Sequence, residues 1–137
     1  MTHAARTAQP QNPAEVVTAL WERMEGRDWE GLAELLAPDV VVEWPVTGER
    51  FVGRGNVVAV NREYPEGWHI RVLRVIAAGE DVVSEVEVPQ LGVGVFRAAS
   101  FWTVRGGQVI AGTEYWTERG GDPAPAWRAR FAQASTG

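Results

Sequence analysis

The stretch that most constrains this chain spans residues 96–118, FRAASFWTVRGGQVIAGTEYWTE. Two runs rich in β-branched and aromatic residues, 96–104 and 109–117, flank Arg105-Gly106-Gly107-Gln108. Paired glycines supply the positive φ that a tight turn between antiparallel strands requires, so the pattern predicts one long β-hairpin. Period-two alternation then sorts its side chains. Ala98, Ser100, Trp102 and Val104 share a face of the first arm, and Ile110, Gly112, Glu114 and Trp116 a face of the second. The other faces carry Arg97, Ala99, Phe101, Thr103 and Val109, Ala111, Thr113, Tyr115. Neither face is plainly polar, which predicts that both are covered. A carboxylate, Glu114, among tryptophans and small residues on such a strand is the most informative feature of the chain.

With 137 residues, the chain is long enough for one core without disulfides or a structural metal. Its net charge of −5 argues against a nucleic-acid surface, which needs a basic stripe. The absence of cysteine excludes disulfides, thiolate catalysis and cysteine-ligated metals. With His3 and His69 the only histidines, a histidine-rich metal site is not expected either. No apolar run approaches the roughly 18–20 residues of a membrane span, and no signal-peptide core is evident, so a cytoplasmic protein is expected. Seven tryptophans stand out. Such large amphipathic side chains suit cores, dimer interfaces and ligand pockets alike.

Along the chain, residues 1–12 are small, polar and patternless, which predicts a disordered tail. Asn12-Pro13 opens a helix with Val16, Val17, Leu20, Trp21 and Met24 at helical spacing, ending at Gly26. Asp28 caps a second helix with Trp29, Leu32, Leu35 and Leu36 as apolar positions and Pro38 as its stop. Residues 40–44 read as a strand, 47–49 as a turn, and 51–52 as a short extended piece. Residues 56–64 fit a third helix with Val57, Val60, Asn61 and Tyr64 along one side, ended by Pro65. Two strands, 68–77 and 81–88, precede the hairpin. Residues 125–132 fit a final helix with Trp127 and Phe131 on one side. Helices gathered ahead of an antiparallel meander indicate an α+β fold, with a domain at 13–118 and a C-terminal extension at 119–137.

That order, with Gly26-Arg27-Asp28-Trp29 at the helical bend, Ala37-Pro38-Asp39-Val40, the strand ending Glu43-Trp44-Pro45, and Gly53-Arg54-Gly55, resembles the nuclear transport factor 2-like superfamily. The likeness is to its SnoaL-like members, polyketide cyclases and ketosteroid isomerases. It implies a cone-shaped, curved antiparallel sheet wrapped around the N-terminal helices, a central pocket for a small apolar, planar ligand, and a homodimer through the outer face of the sheet. Tyr115, Phe101 and Val109 fall on the face assigned outward. Carried over position by position, the isomerase tyrosine falls on Leu20, the base on Trp44 and the second acid on Ser100. Leu20 and Trp44 cannot transfer protons, so isomerisation by that route is rejected. An epoxide hydrolase route lacks its acid in Arg97-Ala98-Ala99, and a histidine-based dehydratase route has only His69 to draw on.

Glu114 is therefore the candidate acid–base residue, since desolvation between Trp102 and Trp116 raises a carboxyl pKa toward the useful range. The alternative is a structural glutamate paired with Arg54, Arg62 or Arg97. Trp44, Asn61, Tyr64, Glu85, Ser100, Trp102 and Trp116 are the candidate pocket residues. Glu85 and Glu87 share a strand face that reads as solvated; if it instead lines the cone, Glu85 pairs with Glu114 as a carboxylate dyad. No cofactor is expected, because Gly53-Arg54-Gly55 is too short to cradle a phosphate. Two functions remain: a cofactor-independent isomerase or cyclase, and a non-catalytic binding or dimerisation domain with a degenerate pocket.

Overall fold

In a computed structural model that describes residues 10–135, three helices and six strands follow in the order α1, α2, β1, β2, α3, β3 to β6. The tail expected at 1–12 therefore lies largely outside the described residues. α1 (Pro13–Glu25) begins where Asn12 Oδ1 accepts from the Ala14 and Glu15 amides, satisfying donors that the helix leaves free. Val16, Val17, Leu20, Trp21 and Met24 form its buried stripe. Asp28 caps α2 (Trp29–Glu34) by accepting from the Gly31 amide.

α2 is shorter than the apolar spacing implied. Leu36 already belongs to β1 (Leu36–Trp44), and Pro38 lies within that strand rather than stopping a helix. β1 pairs with the final strand at Leu36, then loses register until Val41. Pro38, with no N–H to give a ladder, is accommodated in that irregular stretch. β2 (Glu49–Val52) pairs antiparallel with β1. α3 (Arg54–Arg62) starts two residues earlier than expected, from Gly53 at φ 91°, and leaves Tyr64 beyond its end.

β3 (Arg71–Ala78), β4 (Asp81–Gln90), β5 (Gly94–Arg105) and β6 (Gln108–Glu118) form the meander. The hairpin turn has Gly106 and Gly107 at φ 61° and 79°, the left-handed region that only glycine enters without cost. Trp68, expected in β3, makes only an isolated bridge to Gln90. The sheet order is β2-β1-β6-β5-β4-β3, and it curves without closing. One pairing departs from the antiparallel expectation: β1 runs parallel to β6, because the chain between them crosses over through α3 and the meander.

α1 and α2 pack on the concave face, where Trp21, Leu32, Leu36, Val40, Val86 and Val109 are fully buried. Val109 corrects the outward assignment. Val104 pairs with Val109 but Thr103 with Ala111, so Ile110 is the extra residue of a β-bulge and Val109 turns inward. Phe101 and Tyr115 do face outward, edge to face at 6.1 Å, and both are exposed in the single chain. The outer sheet face is therefore open in one chain, not covered. Past β6, residues 126–131 form a 3₁₀ helix with Trp127 and Phe131 exposed, in place of the expected α-helix. No helix among the described residues is long and apolar enough to cross a membrane.

Candidate functional site

β4, β5 and β6 bring Ser84, Ser100 and Glu114 into register across the concave face. Glu114 is 6% exposed. Its Oε1 accepts from the Ser100 hydroxyl at 3.1 Å, and its Oε2 accepts from Trp44 Nε1 at 3.0 Å. Burial pushes the carboxyl up to about 7, against the hydrogen bonds from Trp44 and Ser100 that favour the ionised form. No cation among the described residues reaches it. Arg54 donates to the Leu36 carbonyl, Arg62 to Glu63, and Arg97 lies against Glu85 and Glu87, so the expected alternative of an ion-paired glutamate does not hold.

Glu114 opens onto a cavity of about 510 Å³ between α1, α3 and the sheet. Trp44, Tyr64, Trp68, Phe96 and Trp116 give it aromatic walls. Asn61 lines it too, its Nδ2 committed to the Val57 carbonyl and its amide oxygen left without a partner among the described residues. Trp44 packs edge to face on Phe51 at 4.6 Å, which fixes the indole whose N–H reaches Glu114. The buried N–H groups of Trp68 and Trp116 have no partner among the described residues.

Not every candidate gathers there. Ser100 touches Glu114 from behind without lining the cavity, and Trp102 is core. The Trp102 ring lies over Gly112, where an added Cβ would stand 2.4 Å from its carbons. Ser84 Oγ accepts from both Trp102 Nε1 at 2.9 Å and Trp21 Nε1 at 3.1 Å, so these two indoles fill the interior. Glu85 is a correction: alternation turns Val82, Ser84 and Val86 inward, so Glu85 stands on the outer face, paired with Arg74 at 2.9 Å. No dyad with Glu114 forms. Glu87 shares that face, buried between Arg71 and Arg97.

Sequence reasoning missed Trp68, Phe96, Gln90, Glu49 and Glu118, which also line the cavity. For two of them the signal was present. Glu118 continues the alternation of Glu114 and Trp116, and Phe96, its cross-strand partner, continues that of Ala98 and Ser100. Trp68 and Gln90 meet through an isolated bridge that no periodicity marks.

Leu20, onto which the resemblance carries the isomerase tyrosine, is 3% exposed in the core. The sequence profile of the SnoaL-like domain matches residues 17–112. No curated protein matches the chain. Among solved structures, a candidate ketosteroid isomerase from Kribbella flavida is 30% identical, with 91% of this chain and 90% of that one covered and a TM-score of 0.82. An NTF-2 like protein of unknown function from Burkholderia xenovorans is 24% identical, covers 90% and 94%, and gives 0.75. A candidate polyketide cyclase from Xanthomonas campestris is 22% identical, covers 77% and 90%, and shares the fold at 0.63. With the profile spanning most of the folded chain, this protein belongs to the SnoaL-like domain family of the nuclear transport factor 2-like superfamily.

Proposed function

We propose that the cavity binds a small, planar, apolar carbonyl compound and that Glu114 moves its proton, in isomerase- or cyclase-type chemistry without a cofactor. One observation carries this reading: a buried carboxyl with no cationic partner, balanced near neutrality, faces an aromatic-walled cavity. Near pH 7 both forms of Glu114 are populated, so the same group can remove a proton alpha to the carbonyl and return it to another atom of the resulting enolate. Trp44 and Ser100 hold the two oxygens in place. They stabilise the carboxylate before it takes the proton and again after it returns it. The sequence has neither lysine nor cysteine, which leaves no Schiff-base or thioester route.

The second reading, a non-catalytic binding domain, draws on Leu20 and Trp44, which stand at proton-transfer positions of the isomerases and cannot fill them. The homodimer belongs with either reading: Ile76, Val83, Phe101 and Tyr115 leave an apolar patch on the outer face that a second copy would cover.

The test titrates 2-acetylnaphthalene into wild type and Glu114→Gln, following tryptophan quenching and deuterium uptake at the acetyl methyl in D₂O. Saturable quenching with uptake that disappears in the variant supports acid–base catalysis. Saturation without uptake in either protein supports the binding domain, and no saturation in either protein sinks both.

A further inference from the structure

The charge distribution around the cavity is one-sided. Glu49, Glu114 and Glu118 all line it, whereas no arginine or histidine among the described residues does. The chain's 13 basic residues are all arginine, and three of them are committed elsewhere: Arg50 to Glu43, Arg62 to Glu63, and Arg27 to Glu66. Glu114 lies buried at the inner end, while Glu49 and Glu118 are exposed and mark the outer end. Glu49 Oε1 accepts from the Thr47 hydroxyl at 2.7 Å, and the Glu118 side chain folds across Gly94, where an added Cβ would stand 2.8 Å from Oε2.

From this we infer that the cavity selects ligands carrying a positive charge, a protonated or quaternary amine, at the end left near Glu49 and Glu118, with the planar carbonyl body directed to Glu114. The inference rests on the ligand-binding reading above and adds the charge of the ligand to it. Aromatic faces attract an alkylammonium through their quadrupoles, and Trp68 already receives the Arg27 guanidinium 3.3 Å from its centroid on one side. The carboxylates add a screened Coulomb attraction that an isosteric neutral group lacks. An anionic ligand would meet the Glu49 and Glu118 carboxylates and a partly ionised Glu114, with no counter-charge in the lining among the described residues.

Three 2-acetylnaphthalenes of matched shape test this: 6-trimethylammonium, 6-tert-butyl and 6-carboxylate, titrated calorimetrically into the full chain. The ammonium ligand is expected to bind about tenfold tighter than the tert-butyl one at low salt, with the carboxylate ligand weakest. The difference should shrink in 0.5 M NaCl. The double variant Glu49→Gln/Glu118→Gln should bring the ammonium and tert-butyl affinities together. Equal or tighter binding of the tert-butyl or carboxylate ligand by wild type overturns the inference and leaves the acid–base reading standing. Charge-selective binding without Glu114-dependent deuterium uptake does the reverse. Binding of none of the three overturns both.

Discussion

Trp44 Nε1 and Glu114 Oε2 meet at 3.0 Å across 70 residues of sequence, joining β1 to β6 across the parallel pairing of the sheet. That bond places a neutral donor, not a cation, against the buried carboxylate. The carboxylate is thereby oriented without being discharged.

The first prediction is a pH dependence of stability assignable to Glu114. Its folded pKa is raised from 4.5 to about 7, so its favourable contribution is fully present below pH 4.5 and is lost as pH rises through 7. The size is about 3 kcal/mol between those limits. Glu25 titrates the other way, its carboxyl lowered by the His69 hydrogen bond and the Ile70 amide despite the opposing effect of burial, so the comparison must be made against a variant. Glu114→Gln, whose amide can accept from Trp44 and donate to Ser100, should be more stable than wild type in urea at pH 8.5 and lose the advantage at pH 4.5. Parallel curves for the two proteins would show that Glu114 titrates near its ordinary value.

Removing the indole donor gives the second. Trp44→Phe keeps an aromatic wall and deletes the hydrogen bond that favours the ionised form, so the Glu114 pKa should rise further, by about 1 unit. The midpoint read from ¹³C carboxyl shifts should move above 7 and the alkaline limb of any activity profile with it. An unmoved or lowered midpoint would refute the assigned role of the bond.

The third concerns the core behind the site. Ser84→Ala leaves the indole N–H groups of Trp21 and Trp102 without their shared acceptor, at an expected cost of about 2–4 kcal/mol in urea unfolding. Gly112→Ala, with its Cβ driven into the Trp102 ring, should cost about 1–3 kcal/mol. Either variant at wild-type stability would mean that these tryptophans repack freely.

A fourth follows from the open outer face. Phe101→Glu/Tyr115→Glu should convert a dimer to a monomer in sedimentation velocity while leaving the far-ultraviolet spectrum intact, because both side chains are exposed in the single chain. A wild-type monomer at micromolar concentration would remove the dimer from the proposal.

Much of this protein follows from local pattern. Asn12, Pro13 and the apolar stripe of α1 specify a helix whatever surrounds them, and Gly106-Gly107 specifies the turn, because capping and positive φ are properties of a few consecutive residues. Alternation likewise puts Glu114 and Trp116 on one face of β6, since the pleat has a period of two. Where the chain breaks its own period, local pattern misleads. The bulge at Ile110 turns Val109 inward, and Pro38 sits in a strand because a lost register spared it a ladder bond. Only the tertiary structure decided which tryptophans fill the core and which line the cavity. It alone decided that Glu85 and Glu114 stand on opposite faces, and that Glu114 is met by an indole and a hydroxyl instead of an arginine. Those outcomes depend on strand order and on contacts between distant residues, which the period of a sequence does not encode.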